Sequence, residues 1–78
     1  MSESRKRLSP SVEDYLKAVF ALTRRHETAS TSALAESLGV QPSSVTGMIK
    51  RLAGEELLAH VPYRGVQLTE RGRREALR

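Results

Sequence analysis

Apolar residues recur every three or four positions in the first third of the chain, the pattern of one face of an amphipathic helix. These residues are Val12, Tyr15, Leu16, Val19 and Phe20. Pro10 suits a first helical turn, and either Ser9 or Ser11 can cap it. Ser11 with Asp14 also resembles a capping box. The pattern predicts a helix that starts here and runs to about Arg25.

A second and a third helix are predicted after a short polar connection. Thr31 or Ser32 caps the second helix, and Gly39 stands where a helix ends in the left-handed conformation. Pro42 opens the third helix, with Gln41 or a neighbour as its cap. The apolar stripes of the two helices consist of Leu34, Ala35 and Leu38, and of Val45, Met48, Ile49 and Leu52. Two helices joined by a tight, glycine-containing turn form a helix-turn-helix unit.

The hydrophobic period changes beyond Gly54. Residues 57–61 and 66–68 are short strand candidates, and the turn residues 62–65 between them predict a β-hairpin. Thr69 can cap a fourth helix over residues 70–78. The order of three helices, a two-stranded wing and the start of a fourth helix predicts a mainly α, winged helix-turn-helix domain.

Length and charge narrow the function. With 78 residues the chain can form one domain but not two, and we place that domain at residues 9–78. Arg5, Lys6 and Arg7 lie among serines, which predicts a flexible basic arm at residues 1–8. Thirteen Lys and Arg residues against nine Asp and Glu give a net charge of +4, spread over the whole chain. This balance favours a polyanionic partner.

Several function classes are excluded by what the sequence lacks. Without cysteine there is no disulfide scaffold, Cys-based zinc site or thiol nucleophile, and a cytoplasmic location is expected. The apolar runs are too short to span a membrane. The five glycines are isolated, and nothing positions a nucleophile against a base, so we do not expect an enzyme. We assign neither His26 nor His60 a functional role.

The third helix presents a small, hydroxylic and basic face opposite its apolar stripe. Such a face, with no acidic residue, suits a helix lying in a DNA groove about 12 Å wide. Arg64 at the hairpin tip can reach a phosphate or a minor groove. The alternative interpretation is an ordinary solvated helix face and an exposed turn arginine. The predicted DNA contacts are Ser32, Gln41, Pro42, Ser43, Ser44, Thr46, Gly47, Lys50, Arg51, Tyr63 and Arg64.

Four segments together are similar to a known family. They read SVEDYLKAV at residues 11–19, ALAESLGV at 33–40, QPSSVTGMIKRL at 41–52 and YRGVQLTERG at 63–72. This combination resembles the N-terminal domain of the diphtheria toxin repressor family, and within it the manganese transport regulators. The resemblance covers nearly all of residues 11–78.

The resemblance implies a bacterial transcriptional repressor that binds palindromic DNA operators as a homodimer when manganese or iron(II) is bound. It places Asp14 at a metal-ligand position, although from the sequence alone Asp14 is a capping carboxylate. Lys17 stands where some manganese regulators have a second carboxylate, and Gly47 where some iron-type members have a longer polar side chain. The other ligands and the dimerisation domain of the family lie beyond Arg78. We therefore expect a DNA-binding fragment that binds no metal on its own.

Two alternatives remain open. One is a metal-independent winged-helix transcription regulator. The other is a winged helix used for protein–protein contact, although the small polar face of the third helix argues against it because protein interfaces favour aromatic anchors. RNA is not an expected partner, since three aromatic residues cannot form a stacking platform.

Overall fold

The structure, a computed structural model, describes residues 10–78, and the predicted basic arm at residues 1–8 lies outside them. The described part has the predicted order of elements, and the winged helix-turn-helix fold is confirmed. The elements are α1 (Val12–Thr23), α2 (Thr31–Leu38), α3 (Pro42–Gly54), β1 (Leu58–Val61), β2 (Gly65–Leu68) and α4 (Glu70–Ala76).

Side-chain caps fix where three of the helices begin. The predicted capping box at α1 is confirmed, since the Asp14 amide donates to Ser11 Oγ at 3.1 Å and the Ser11 amide donates to Asp14 Oδ2 at 2.9 Å. The predicted cap of α4 is also confirmed, because Thr69 Oγ1 accepts from the Gly72 amide. The prediction for α2 is wrong by one position. Ser30, not Thr31 or Ser32, caps this helix and accepts from the Ala33 amide.

Helix ends and strand bounds differ from the sequence prediction by one or two residues. Helix α1 ends at Thr23, before the predicted Arg25, and the Thr23 hydroxyl donates to the Val19 carbonyl at 2.8 Å. Helix α4 ends at Ala76, and the strands begin at Leu58 and Gly65. These ends depend on local hydrogen bonding that hydrophobic periodicity does not resolve.

The hairpin is anchored to the loop between α1 and α2. Its two strands pair antiparallel, with Leu58 opposite Leu68 and His60 opposite Val66. Ala29 pairs with the free edge of β2. Its amide donates to the Val66 carbonyl at 2.9 Å, and the Val66 amide donates to the Ala29 carbonyl at 3.0 Å. This pairing leaves Ser30 as the first residue free to cap α2, which explains the shift in the cap.

All elements share one apolar core. Its buried residues are Tyr15, Leu16, Val19, Ala29, Leu34, Ala35, Val45, Ile49, Leu52, Leu57, Leu58, Val66 and Ala76. In α3 the predicted stripe is confirmed at three positions, whereas Met48 is only half-buried. Within residues 10–78 no helix is long and apolar enough to cross a membrane. The core fixes one face of α3, so the opposite face points to solvent.

Candidate nucleic-acid interface

The outward face of α3 carries six of the predicted contacts. Val45, Ile49 and Leu52 are buried in the core. At 100° per residue, the positions between them turn away from the core. The exposed residues on this face are Ser43, Ser44, Thr46, Gly47, Lys50 and Arg51. Gln41 and Pro42, at the start of the helix, are exposed as well.

On the flank of α3 that faces α1, small side chains border an open cleft of about 340 Å³. Ser43, Ser44 and Gly47 line it together with Arg51, and Tyr15 of α1 reaches it from the core. Burial raises the pKa of the Tyr15 phenol above its ordinary value, so the phenol is neutral at physiological pH. Arg51 also forms an exposed ion pair with Glu55, Nε to Oε2 at 3.4 Å. The Arg51 guanidinium therefore lies at the cleft, and the Glu55 carboxylate offsets part of its charge.

On the other flank, Thr46 and Lys50 face the hairpin. They border a second cleft, of about 270 Å³, whose lining also includes Thr31 of α2 and His60 of β1. The Thr46 hydroxyl donates to the Pro42 carbonyl at 3.1 Å, which commits its proton within the helix. Thr46 therefore offers a methyl group and an acceptor oxygen to a ligand, but not a donor. No ion pair involves Lys50 within residues 10–78.

The hairpin tip holds the remaining predicted contacts. Tyr63 is fully exposed and has a backbone φ of +65°, and the Arg64 amide closes the turn on the Val61 carbonyl at 2.9 Å. Arg64 is not free, because its Nη1 donates to Glu27 Oε1 at 2.9 Å. Thr28 adds a hydrogen bond to the Arg64 carbonyl at 3.0 Å. The tip is therefore held against the loop that precedes α2.

The structure does not bring every predicted contact to this face. Ser32 is exposed on the first turn of α2 but lines neither cleft beside α3. Thr31 and His60 do line the hairpin-side cleft, and neither is among the predicted contacts. Strand alternation in the sequence carried the signal for His60, because residues 58 and 60 must share a face.

The charges on this surface favour an anionic ligand. No Asp or Glu lines either cleft beside α3, as far as the described part of the chain extends. Lys50 and Arg51 supply positive charge, and the first turn of α3 contains the hydroxyls of Ser43 and Ser44. The helix dipole at this N-terminus favours phosphate. Pro42 has no amide hydrogen, and the Ser44 and Val45 amides are already bonded to the Gln41 carbonyl at 3.0 and 3.3 Å, so the backbone itself offers few free donors there.

Asp14, the predicted metal ligand, has a structural role of its own. It is exposed, and one carboxylate oxygen accepts the Ser11 amide in the capping box. Over residues 10–78 no three His, Cys, Asp or Glu side chains are grouped as a metal site. A single carboxylate does not hold a transition metal. The described residues therefore do not by themselves fit a bound manganese or iron ion.

Comparison with known proteins gives three consistent results. The model of a family described as "Iron dependent repressor, N-terminal DNA binding domain" matches residues 7–66. The HTH-type transcriptional regulators MntR of Geobacillus kaustophilus and Bacillus subtilis are 42% and 41% identical over 66 residues, 85% of this chain. A solved structure of the manganese regulator SloR matches with a TM-score of 0.75 at 35% identity, covering 87% of this chain and 32% of that one. The chain spans less than half the length of the two MntR proteins, 47% and 46%.

Proposed function

The chain belongs to the iron-dependent repressor family, matching its N-terminal DNA-binding domain, and from this premise we propose that residues 9–78 read duplex DNA with α3 in the major groove. The observation that supports it is the exposed, acid-free face of α3. A helix of this kind fits the major groove, and it meets both phosphates and base edges there. The proposed role is binding without catalysis.

The proposed contacts divide by chemistry. Ser43 and Ser44 lie at the N-terminal turn of α3, where their hydroxyls and the helix dipole favour a phosphate or a base edge. Thr46 contributes its methyl group to a thymine methyl or its oxygen to an amino group. Lys50 supplies a charge for the backbone. The hairpin tip, with Tyr63 and Arg64, meets the adjacent backbone or minor groove.

For the whole protein we propose a cytoplasmic repressor that binds a palindromic operator as a homodimer and depends on manganese or iron. The names of the relatives support this, since MntR is a transcriptional regulator and SloR a manganese regulator. Asp14 would then be one ligand among several. A metal-independent winged-helix regulator is the second candidate, and it is favoured by the observation that no three His, Cys, Asp or Glu side chains are grouped as a metal site within residues 10–78.

Duplex binding by this chain tests the proposal. Fluorescence anisotropy with a labelled duplex should show weak binding that falls steeply with salt, because phosphate contacts dominate. Lys50→Ala should weaken binding to every sequence and lower the salt slope by about 1. Ser43→Ala or Thr46→Ala should instead change the preference among sequences.

Lys17 provides the matched control, because it is an exposed lysine on α1 that lines neither cleft beside α3. Lys17→Ala should leave binding within about twofold of the wild type, whereas equal losses for both lysine variants would argue against α3 as the reading helix. A calorimetric titration of this chain with manganese should show no tight stoichiometric binding. Tight binding would contradict the interpretation of Asp14 as an incomplete site.

A further inference from the structure

His60 lies on the side of the hairpin that faces α3. Paired residues of an antiparallel ladder point to the same side of the sheet, and His60 pairs with Val66. Residues two apart on a strand also share a side, so Leu58 and His60 point the same way. Leu58 and Val66 are buried in the core at 3% and 1% exposure, whereas His60 is exposed. The histidine therefore points toward α3 just where the core ends.

The cleft that His60 lines has an apolar floor formed by the buried Ile49 and Val66, and polar side chains around it that can receive an anion. Thr46 and Lys50 line it from α3, and Thr31 lines it from the first turn of α2. A neighbouring cleft of about 330 Å³ shares Thr31 and His60 with it and continues to Arg64 at the hairpin tip. The two clefts are therefore neighbours along the hairpin, and only the first of them is also lined by α3.

No carboxylate lines either of these two clefts within the described residues. Besides His60, the charged and titratable groups that line them are Lys50 of α3 in the first cleft and Tyr63 and Arg64 of the hairpin turn in the second. Glu27, in the α1–α2 loop, is paired with Arg64. His60 makes no side-chain hydrogen bond or ion pair with another residue of the described part. An imidazole beside a lysine is most favourably protonated when an anion lies between them.

We propose that His60 and Lys50 together hold one backbone phosphate of the duplex, and that His60 takes up a proton when the phosphate binds. This inference rests on the proposed DNA binding and adds a pH dependence to it. The protonated imidazole donates N–H to a phosphate oxygen while the Lys50 ammonium neutralises the remaining charge. Because histidine changes its charge between about pH 5 and pH 8, DNA affinity increases as the pH falls through this range.

The test measures duplex affinity by anisotropy, with a pH-insensitive dye, between about pH 5.5 and pH 8 at constant ionic strength. The wild-type chain should bind roughly three- to tenfold more tightly at the acidic end. His60→Gln should remove most of this dependence and lower the salt slope at acidic pH by about 1. His60→Lys, which keeps the charge, should bind tightly at both ends of the range. His26 is the other histidine of the chain, and His26→Gln should keep the wild-type pH profile.

The outcomes separate the two proposals. If the wild-type chain does not bind duplex at any pH, the proposed function fails and this inference fails with it. If it binds but His60→Gln keeps the wild-type pH profile, only this inference is overturned. A phosphate-free buffer is used first, and millimolar inorganic phosphate is then added at constant ionic strength. Loss of the pH dependence on that addition would assign the cleft to a free anion and contradict the proposal.

Discussion

Arg64 at the hairpin tip and Glu27 in the α1–α2 loop are joined by a hydrogen-bonded ion pair of 2.9 Å, although they are 37 residues apart in the sequence. Both side chains are largely exposed, at 61% and 78%. An exposed pair of this kind contributes little to folding. The ion pair matters for binding instead, because the Glu27 carboxylate competes with DNA phosphates for Arg64, the arginine proposed to reach DNA.

Glu27→Gln should therefore tighten duplex binding by roughly two- to fivefold, since it frees Arg64 and removes a negative charge near the phosphates. Anisotropy titration at low salt measures the gain. Glu70→Gln is the matched control, because Glu70 forms a similar exposed pair with Arg74 on α4. If Arg64 mediates the effect, Glu27→Gln should give a smaller gain in an Arg64→Ala background.

Tyr63 is expected to lower the stability of the fold while contributing to DNA binding. A non-glycine residue at φ +65° is strained, and a fully exposed ring makes no compensating contact with the core. Tyr63→Asn should raise the free energy of unfolding by about 0.5–1 kcal/mol, because asparagine tolerates this conformation. The same variant should weaken DNA binding. Tyr63→Phe should change stability little, and a destabilised Tyr63→Asn in urea unfolding would contradict the strain argument.

Two glycines should be irreplaceable for packing reasons. A methyl group at Gly65 or at Gly72 would collide with the backbone carbonyl of Ala29 or of Leu57, respectively. Gly65→Ala and Gly72→Ala should each lower the free energy of unfolding by about 2 kcal/mol or more, because backbone atoms must move. Gly47→Ala is the control. Nothing lies within 4 Å of a methyl there, and alanine should stabilise the helix by about 0.5–1 kcal/mol.

Tyr15 should make the fold sensitive to alkali. Burial raises the pKa of its phenol in the folded state, so the unfolded chain ionises first as the pH rises. The stability that this group contributes is fully present below about pH 10 and is lost as the pH rises through the higher pKa of the folded state. Tyr15→Phe should flatten this alkaline loss in urea unfolding. Tyr63→Phe, which changes the exposed tyrosine, should leave the loss in place.

Helix starts and ends were predictable from the sequence where residues close together along the chain determine them. Pro42 fixes the start of α3, Gly39 ends α2 with a φ of +68°, and the reciprocal hydrogen bonds of Ser11 and Asp14 begin α1. In each case the residue type alone restricts the backbone or satisfies a free amide.

The remaining features depend on contacts between distant segments. Ser30, Thr31 and Ser32 are all competent caps, and the pairing of Ala29 with Val66 selects the first of them. The ion pair of Arg64 with Glu27 likewise has no signal in the local sequence. His60 differs, because strand alternation and the predicted helix-turn-helix would together have placed it toward α3.

Gly47 leaves an open position at the centre of the helix proposed to read DNA, since nothing lies within 4 Å of a Cβ atom added there. A side chain can therefore begin at this position without displacing its surroundings. If α3 reads DNA as proposed, one codon change at this position alters what the helix presents to a base pair. Duplicated copies of the gene could diverge in their targets by this route before any other residue changed.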